Sequence, residues 1–206
     1  MKIKSGASLL SIVLLFVLNN SVDAWHSFYW PRLVVGGQVG YFRISLDEFK
    51  NLYSSKWDGI YSGQINVRIF RSNYLTVQCE NYKNDNARTG FNDGESPVWQ
   101  EKFYNIGVRW YSDVSRKWNF FSGLGLTFAE IKEKSGLSVF ANQPDQKSTQ
   151  DGQGFFLELG ADYTFFPHVA FVLECEITSV GAGGGPAIIG QSFGGFAFQL
   201  GLDFYL

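Results

Sequence analysis

Long apolar runs are almost absent from this sequence, and the one run of note, residues 9–18 (LLSIVLLFVL), contains a serine. A membrane-spanning helix needs about 20 consecutive apolar residues, so no stretch of the chain predicts one. Two lysines precede the run, and small residues ending at Ala24 follow it. This order is typical of a secretory signal peptide. We therefore predict a cleaved signal peptide at residues 1–24 and a single exported domain at residues 25–206.

Reactive side chains are also scarce, since the chain has two cysteines and two histidines. No group of these four residues has the spacing of a metal site. The Gly-x-Ser-x-Gly spacing occurs once, at residues 190–194 (GQSFG), but it leads into an alternating C-terminal stretch, whereas a nucleophile elbow leads from a strand into a helix. The glycine run at residues 181–185 is not followed by the Lys-Ser/Thr of a phosphate-binding loop. We therefore predict no catalytic residue, no metal ligand and no cofactor, and we expect the protein not to be an enzyme.

Charge is low as well, with 17% charged residues. Without residues 1–24 the chain keeps 15 basic and 18 acidic residues, a net charge of −3. This balance excludes a basic surface for nucleic acid. Aromatic residues, at 17%, and the 23 glycines are abundant by contrast. That composition favours a β-barrel with an apolar exterior and tight turns.

The C-terminal stretch, residues 192–206 (SFGGFAFQLGLDFYL), alternates strictly between two kinds of residue. Residues two apart lie on the same face of a strand, so the alternation predicts a strand with one apolar face and one small or polar face. The apolar face carries Phe196, Phe198, Leu200, Leu202, Phe204 and Leu206. The other face carries Gly195, Ala197, Gln199, Gly201, Asp203 and Tyr205.

Seven earlier segments alternate in the same way. With the C-terminal one they predict eight strands, at residues 33–44, 59–70, 74–83, 98–111, 118–131, 154–166, 169–178 and 192–206. A secreted barrel of the lipocalin type would turn its apolar face inward around a ligand. Here the opposite face carries repeated charges and glutamines, which suit a polar lumen. We therefore predict an all-β fold, an eight-stranded antiparallel up-and-down transmembrane β-barrel.

Cys79 and Cys175 both fall on the apolar face, one on the third predicted strand and one on the seventh. The barrel would separate them by far more than the roughly 7 Å between Cα atoms that a disulfide tolerates. We therefore predict two free thiols that face lipid.

Four residues of the last strand, Gln199, Gly201, Phe204 and Leu206, resemble the C-terminal assembly signal of bacterial outer-membrane barrels. The chain as a whole resembles the small eight-stranded outer-membrane β-barrel family, such as the outer-membrane protein A barrel and the X and W types. The resemblance implies location in the cell outer membrane, as a monomer in contact with lipid and lipopolysaccharide. It also implies recognition of the C-terminal strand by the barrel assembly machinery, and a structural or surface-interaction role in adhesion or membrane integrity.

The predicted connections alternate between short and long. Short ones occur at residues 71–73, 113–117 and 167–168. Long ones occur at residues 47–58, 84–97, 134–153 and 180–191. Because outer-membrane barrels have short periplasmic turns and longer extracellular loops, both chain termini are expected in the periplasm. The four long loops would then supply recognition at the cell surface.

The lumen is predicted to hold a network of charged side chains, because an eight-stranded barrel is only wide enough to be filled by its own residues. The network comprises Arg68, Glu80, Arg109, Glu158, Asp162, Glu174, Glu176 and Asp203. Counting along the strands from the short turns puts the two arginines and two aspartates in one layer, where Arg109 would pair with Asp162 or Asp203. The four glutamates form a second layer, which protons, Arg43, Lys102 or a bound cation would have to neutralise.

Two other functions remain open from the residues. Glycines on the inward face leave room for a narrow channel or a conduit for small hydrophobic molecules: Gly36, Gly40, Gly107, Gly123, Gly125, Gly160, Gly195 and Gly201. A lipid-modifying outer-membrane enzyme is the second alternative. Outer-membrane lipid A deacylases carry a His-x-Ser pair, whereas His168 is followed by Val169 and Ala170.

Overall fold

The computed structural model of this 206-residue chain describes residues 31–47, 49, 53–85, 98–113, 115, 117–134, 148–182 and 193–206. Its strands are β1 (Leu33–Ile44), β2 (Trp57–Phe70), β3 (Asn73–Asn84), β4 (Val98–Asp113), β5 (Trp118–Lys134), β6 (Ser148–Phe166), β7 (Val169–Ala182) and β8 (Gly195–Tyr205). Each strand pairs antiparallel with the next, and β8 pairs with β1 to close the barrel. The predicted fold class is confirmed. The predicted signal peptide, His26 and most of the long connections lie outside the described residues.

At the end of the barrel that carries the long connections, β2, β3, β5, β6 and β7 run further than predicted, whereas β8 begins at Gly195, three residues later than predicted. The largest difference is β6, which begins at Ser148 and not at residue 154. Its first residues pair with β5 as far as Glu133. This extension is polar on both faces, so it lacks the apolar alternation on which the sequence prediction rested. Among the described residues, none forms a helix with the length and hydropathy needed to cross a membrane.

One face of every strand is apolar and exposed. Val39, Leu126 and Leu200 leave 65%, 60% and 54% of their surface uncovered. In water such a surface would be unstable, but in a bilayer it is the face that contacts lipid. Both cysteines lie on this face and are free thiols, as predicted.

The two ends of the barrel differ. At one end the connections are short, and the backbone N–H groups of Arg32 and Leu33 donate to the carbonyl of Leu206, so the described chain ends meet there. We call this the short-turn end. At the loop end lie the connections at residues 45–56, 85–97, 135–147 and 183–194. Register irregularities in β2 and β6 occur beside the short turns, between Arg68 and Phe70 and between Thr164 and Phe166.

Candidate functional site

The middle of the lumen is a polar layer, and strand register determines which charges meet there. Gly123 of β5 pairs with Arg109 of β4 on one side and with Glu158 of β6 on the other. All three positions face inward. A Cβ atom on Gly123 would collide with the Glu158 carboxylate, so glycine leaves the space through which the two charged side chains meet across β5.

Arg109 is fully buried and binds two glutamates. Its Nε donates to Glu158 Oε1 at 2.6 Å and its Nη2 to Glu158 Oε2 at 2.7 Å. Nη2 also donates to Glu174 Oε2 at 2.9 Å, and the guanidinium carbon lies 4.1 Å from the Phe121 ring centroid. A planar guanidinium suits this two-point contact, and the aromatic face adds a favourable cation–π interaction.

The remaining glutamates of the layer are bound by neutral donors. Gln199 Nε2 donates to Glu80 Oε1 at 2.6 Å. Asn105 Nδ2 lies 3.2 Å from both carboxylate oxygens of Glu176, and Thr178 Oγ1 donates to Glu176 Oε1 at 2.6 Å. These groups satisfy hydrogen bonds but bring no positive charge.

The predicted pairing of Arg109 with Asp162 or Asp203 is wrong at the level of contacts. Asp162 accepts a hydrogen bond from the Tyr205 hydroxyl at 2.9 Å, and Asp203 accepts one from Gln64 Nε2 at 2.9 Å. Both aspartates lie nearer the short-turn end than the glutamates. Arg68, the other predicted base, is half-buried beside the turn between β2 and β3.

Two further side chains named as possible neutralising groups do not enter the lumen. Arg43 pairs with Trp57 and Phe196, which are both exposed on the outer face. Lys102 pairs with Glu130 on the same outer face. Arg43 and Lys102 occupy strand positions that alternate with the inward-facing ones, so their side chains point to the lipid face and away from the glutamates.

An apolar cluster fills the loop end of the lumen, and the sequence reading missed it. The segment before β2 contributes Phe49 and Tyr53, which are fully buried, stack at 4.2 Å and pack edge-on against Trp99. This loop-end cluster comprises Phe42, Ile44, Leu46, Phe49, Tyr53, Ile60, Tyr82, Trp99, Phe103, Ala129, Ile131, Val180, Phe193 and Ala197. Burial, with the negative charge of Glu133, raises the pKa of the Tyr53 hydroxyl, so it stays neutral. The sequence feature that could have predicted this cluster is the presence of apolar residues at inward-facing positions near the strand ends.

A smaller aromatic cluster lies at the short-turn end. Tyr111 packs against Tyr74 at 5.1 Å and against Phe121 at 5.5 Å, and the Tyr74 hydroxyl donates to the carbonyl of Pro31. This short-turn cluster comprises Val34, Tyr74, Tyr111, Phe121, Ala170, Val172 and Tyr205. The polar layer is therefore enclosed between two apolar clusters.

The other residues singled out from the sequence lie apart from the polar layer, with one exception. His168 is exposed in a short turn, with Nδ1 3.1 Å from the Tyr205 carbonyl oxygen. Phe204 and Leu206 are 48% and 68% exposed on the outer face. Gln199 is the exception, because it faces inward and binds Glu80.

Comparison with known proteins agrees with this architecture. The sequence profile of the outer membrane protein beta-barrel domain family matches residues 9–205. Neisserial surface protein A (NspA) shares 13% identity over 84% of this chain and 97% of its own, with a TM-score of 0.57. The N-terminal β-barrel domain of Pseudomonas aeruginosa OprF shares 13% identity over 85% and 98%, with a TM-score of 0.53.

A third similar structure is that of Ail, the attachment invasion locus protein of Yersinia pestis, solved with the heparin analogue sucrose octasulfate. It shares 12% identity over 85% of this chain and 99% of its own, with a TM-score of 0.50. Among curated protein sequences, none matches this chain. These likenesses establish the fold and, through the family profile, the cell outer membrane as its location.

Proposed function

Since this chain belongs to the outer membrane protein beta-barrel domain family, we propose that it is a sealed membrane anchor that presents recognition loops at the cell surface. The observation that carries this proposal is the filled lumen. Side-chain hydrogen bonds cross its polar middle between strands on opposite sides, and an apolar cluster lies at each end. A barrel of this kind transmits nothing and serves to hold its loops in place.

The loop-end cluster is the main barrier in this proposal. Trp99, Phe49 and Tyr53 occupy the mouth with no surface exposed, and Phe193 packs parallel to Trp99 at 6.5 Å. Bulky aromatic side chains that are buried against one another leave no room for a continuous water path at this end. The closed hydrogen-bonded wall also argues against a lateral gap for hydrophobic molecules.

The short-turn end is proposed to face the periplasm. Both described chain ends lie there, and short turns are the periplasmic feature of outer-membrane barrels. The long connections would then face outward. The exposed Phe204 and Leu206, with Gln199 and Gly201, form the C-terminal signal that we propose the assembly machinery recognises. We further propose that the folded protein is a monomer that contacts lipid and lipopolysaccharide.

The loops set the class of partner. Ail was solved with a polyanionic heparin analogue. The connections of this chain at residues 45–56, 85–97, 135–147 and 183–194 carry six acidic and four basic residues in total. An acidic balance disfavours a sulfated polysaccharide, so the partner we propose is a neutral or basic surface.

Conductance in a planar bilayer tests the sealed barrel. Purified protein should give no reproducible current step, while a porin inserted in the same bilayer serves as the positive control. A step of constant size from folded protein would contradict the sealed anchor and support the channel alternative. The enzyme alternative is tested by the structure of lipid A, which should be unchanged in cells that overproduce the protein.

Trypsin added to intact cells tests the orientation. Cleavage should follow Arg88 and Lys147, which lie in the long connections, and should spare Arg71 and Lys117 in the short turns. The reverse pattern would place the short turns at the cell surface and invert the proposal.

A further inference from the structure

The middle of the lumen contains more negative charge than its own side chains neutralise. Glu80, Glu158, Glu174 and Glu176, the acidic cluster, are at most 3% exposed. Arg109 is the only buried arginine or lysine in the described strands, and Lys56, buried just before β2, binds Asp47 at 2.8 Å. Full ionisation of the cluster would therefore leave three negative charges uncompensated. We propose that the acidic cluster binds a hard divalent cation of the size of Ca²⁺. This site is independent of the proposed surface role.

The geometry of three glutamates fits such an ion. Glu158 pairs directly with Glu176 across β6 and β7, and Glu174 lies two residues along β7 on the same inward face. One carboxylate oxygen from each of the three lies within 4.8 Å of the others. Ca²⁺ binds carboxylate oxygens at about 2.3 to 2.6 Å, so two of its ligands stand up to roughly 5 Å apart. Mg²⁺ demands near-ideal octahedral geometry and loses its water reluctantly, so an enclosed site built from side chains suits it less well.

Two buried amides provide independent support. Gln38 Nε2 donates to Glu174 Oε2 at 3.0 Å, and Gln78 Nε2 lies 3.3 Å from Glu174 Oε1 and from Glu80 Oε1. Both side chains are at most 3% exposed, and the Oε1 atom of each has no hydrogen-bond partner among the described residues. A buried amide oxygen without a donor is a ready ligand for a hard cation.

The other cations of the barrel are poorly placed to replace the ion. Arg109 already spans Glu158 and Glu174, and Arg43 and Lys102 belong to the outer face. Arg68 lies six residues along β2 from Ser62, the partner of Glu80, which is about 20 Å of extended strand. Of the three glutamates of the site, Glu176 is the one that Arg109 does not reach, and Asn105 and Thr178 bring it no positive charge, so the added charge is needed at its end of the site.

The two apolar clusters determine how the ion exchanges. Because the polar layer lies between them, an ion enters while the barrel forms and is enclosed when both ends close. A chelator should therefore fail to remove it from the folded protein, although it would remove ions bound at the surface.

Metal analysis of the protein purified from membranes tests the proposal. After extensive exchange against EDTA, mass spectrometry should find about one Ca²⁺ per folded chain, released when urea unfolds the protein in EDTA. The Glu176→Gln variant should lose this ion. Glu130→Gln is the matched control, since Glu130 faces outward and pairs with Lys132, and it should retain the ion. Because both variants carry the same co-purified lipopolysaccharide, their difference reports the lumen.

Refolding of the wild type decides the question even if Glu176→Gln does not fold. Metal-free protein refolded into vesicles with Ca²⁺ should unfold at a higher urea concentration than protein refolded with EDTA, and Mg²⁺ should give a smaller shift. Equal midpoints, together with less than about 0.1 ion per purified chain, would overturn the proposal and assign the neutralisation to protons. Retention of Mg²⁺ in place of Ca²⁺ would overturn the size assignment. None of these outcomes changes the conductance expected of a sealed anchor.

Discussion

The middle of the lumen and its loop end are both formed by the inward-facing residues of the strands, but they are stabilised in different ways. In the middle, Arg109, Glu158 and Glu174 form directional contacts that depend on each partner. At the loop end, Trp99 and Phe49 belong to an apolar cluster whose contacts are numerous and non-directional. Loss of one partner in the middle leaves a buried charge, whereas loss of one ring at the end leaves a cavity.

This difference shows how a membrane barrel distributes its polarity. Its outer face contacts lipid and must be apolar, so the interior is free to be polar wherever its groups find partners. The polar middle then fixes a specific arrangement, and the apolar ends exclude water from it. Substitutions in the polar middle should therefore have effects that differ from those at neighbouring positions outside it.

Removal of Arg109 should have the largest effect. Arg109→Leu leaves Glu158 and Glu174 buried without their cation, and we expect a loss of about 3 to 5 kcal/mol in the free energy of unfolding. Urea unfolding in lipid vesicles measures it. Adding Glu158→Gln should recover part of the loss, because the two residues interact directly.

Asp162→Asn is the matched comparison for this cycle, since Asp162 accepts from Tyr205 and not from Arg109. Its effect should be close to additive with Arg109→Leu. Strong coupling to Asp162, with none to Glu158, would contradict the contacts of the polar layer.

Two adjacent residues of β8 should differ sharply in their tolerance of charge. Leu200 pairs with Val39 and Leu173 on the lipid face, and Leu200→Arg should cost about 2 to 4 kcal/mol. Gln199→Arg should be much milder, because the new cation would lie beside Glu80. Folding yield into liposomes compares them, and equal losses would mean that the two faces are wrongly assigned.

A single methyl group at Gly123 should disturb the polar layer. Gly123→Ala would collide with the Glu158 carboxylate, and we expect a cost of about 1 to 3 kcal/mol. Gly63→Ala is the control, because a Cβ there meets nothing closer than a backbone oxygen at 3.9 Å, so its effect should stay within about 0.5 kcal/mol. Equal urea midpoints for both variants would show that the Arg109–Glu158 contact does not need the space.

The strands and their faces could be predicted from sequence because a period of two extends over ten or more residues in each. Leu200 and Gln199, for example, lie on the predicted faces. The partners of Arg109 could not be predicted by counting from the turns. Barrel strands tilt and stagger, so residues at equal distance from their turns lie at different heights in the lumen. Arg109 consequently reaches Glu158 and Glu174, and the aspartates bind nearer the short-turn end.

The loop-end cluster was missed for a different reason. Its members Phe49 and Tyr53 belong to a connection with charged neighbours, which reads as a solvated loop. At the end of β1 the inward-facing positions are occupied by Phe42 and Ile44 and not by small or polar residues. That break in the alternation was the local sign that apolar side chains close this end of the lumen.

Quenching of single tryptophans tests most directly the claim that one face meets lipid while the other is sealed. Trp118 is 46% exposed on the outer face, and Trp99 is fully buried in the loop-end cluster. Variants that keep one of these tryptophans, with the other five replaced by phenylalanine, would be folded into vesicles that contain brominated lipid. The fluorescence of Trp118 should be strongly quenched, and that of Trp99 should resist both brominated lipid and aqueous iodide. Quenching of Trp99 by iodide would show an open mouth, and equal quenching of both by brominated lipid would contradict the assignment of inside and outside.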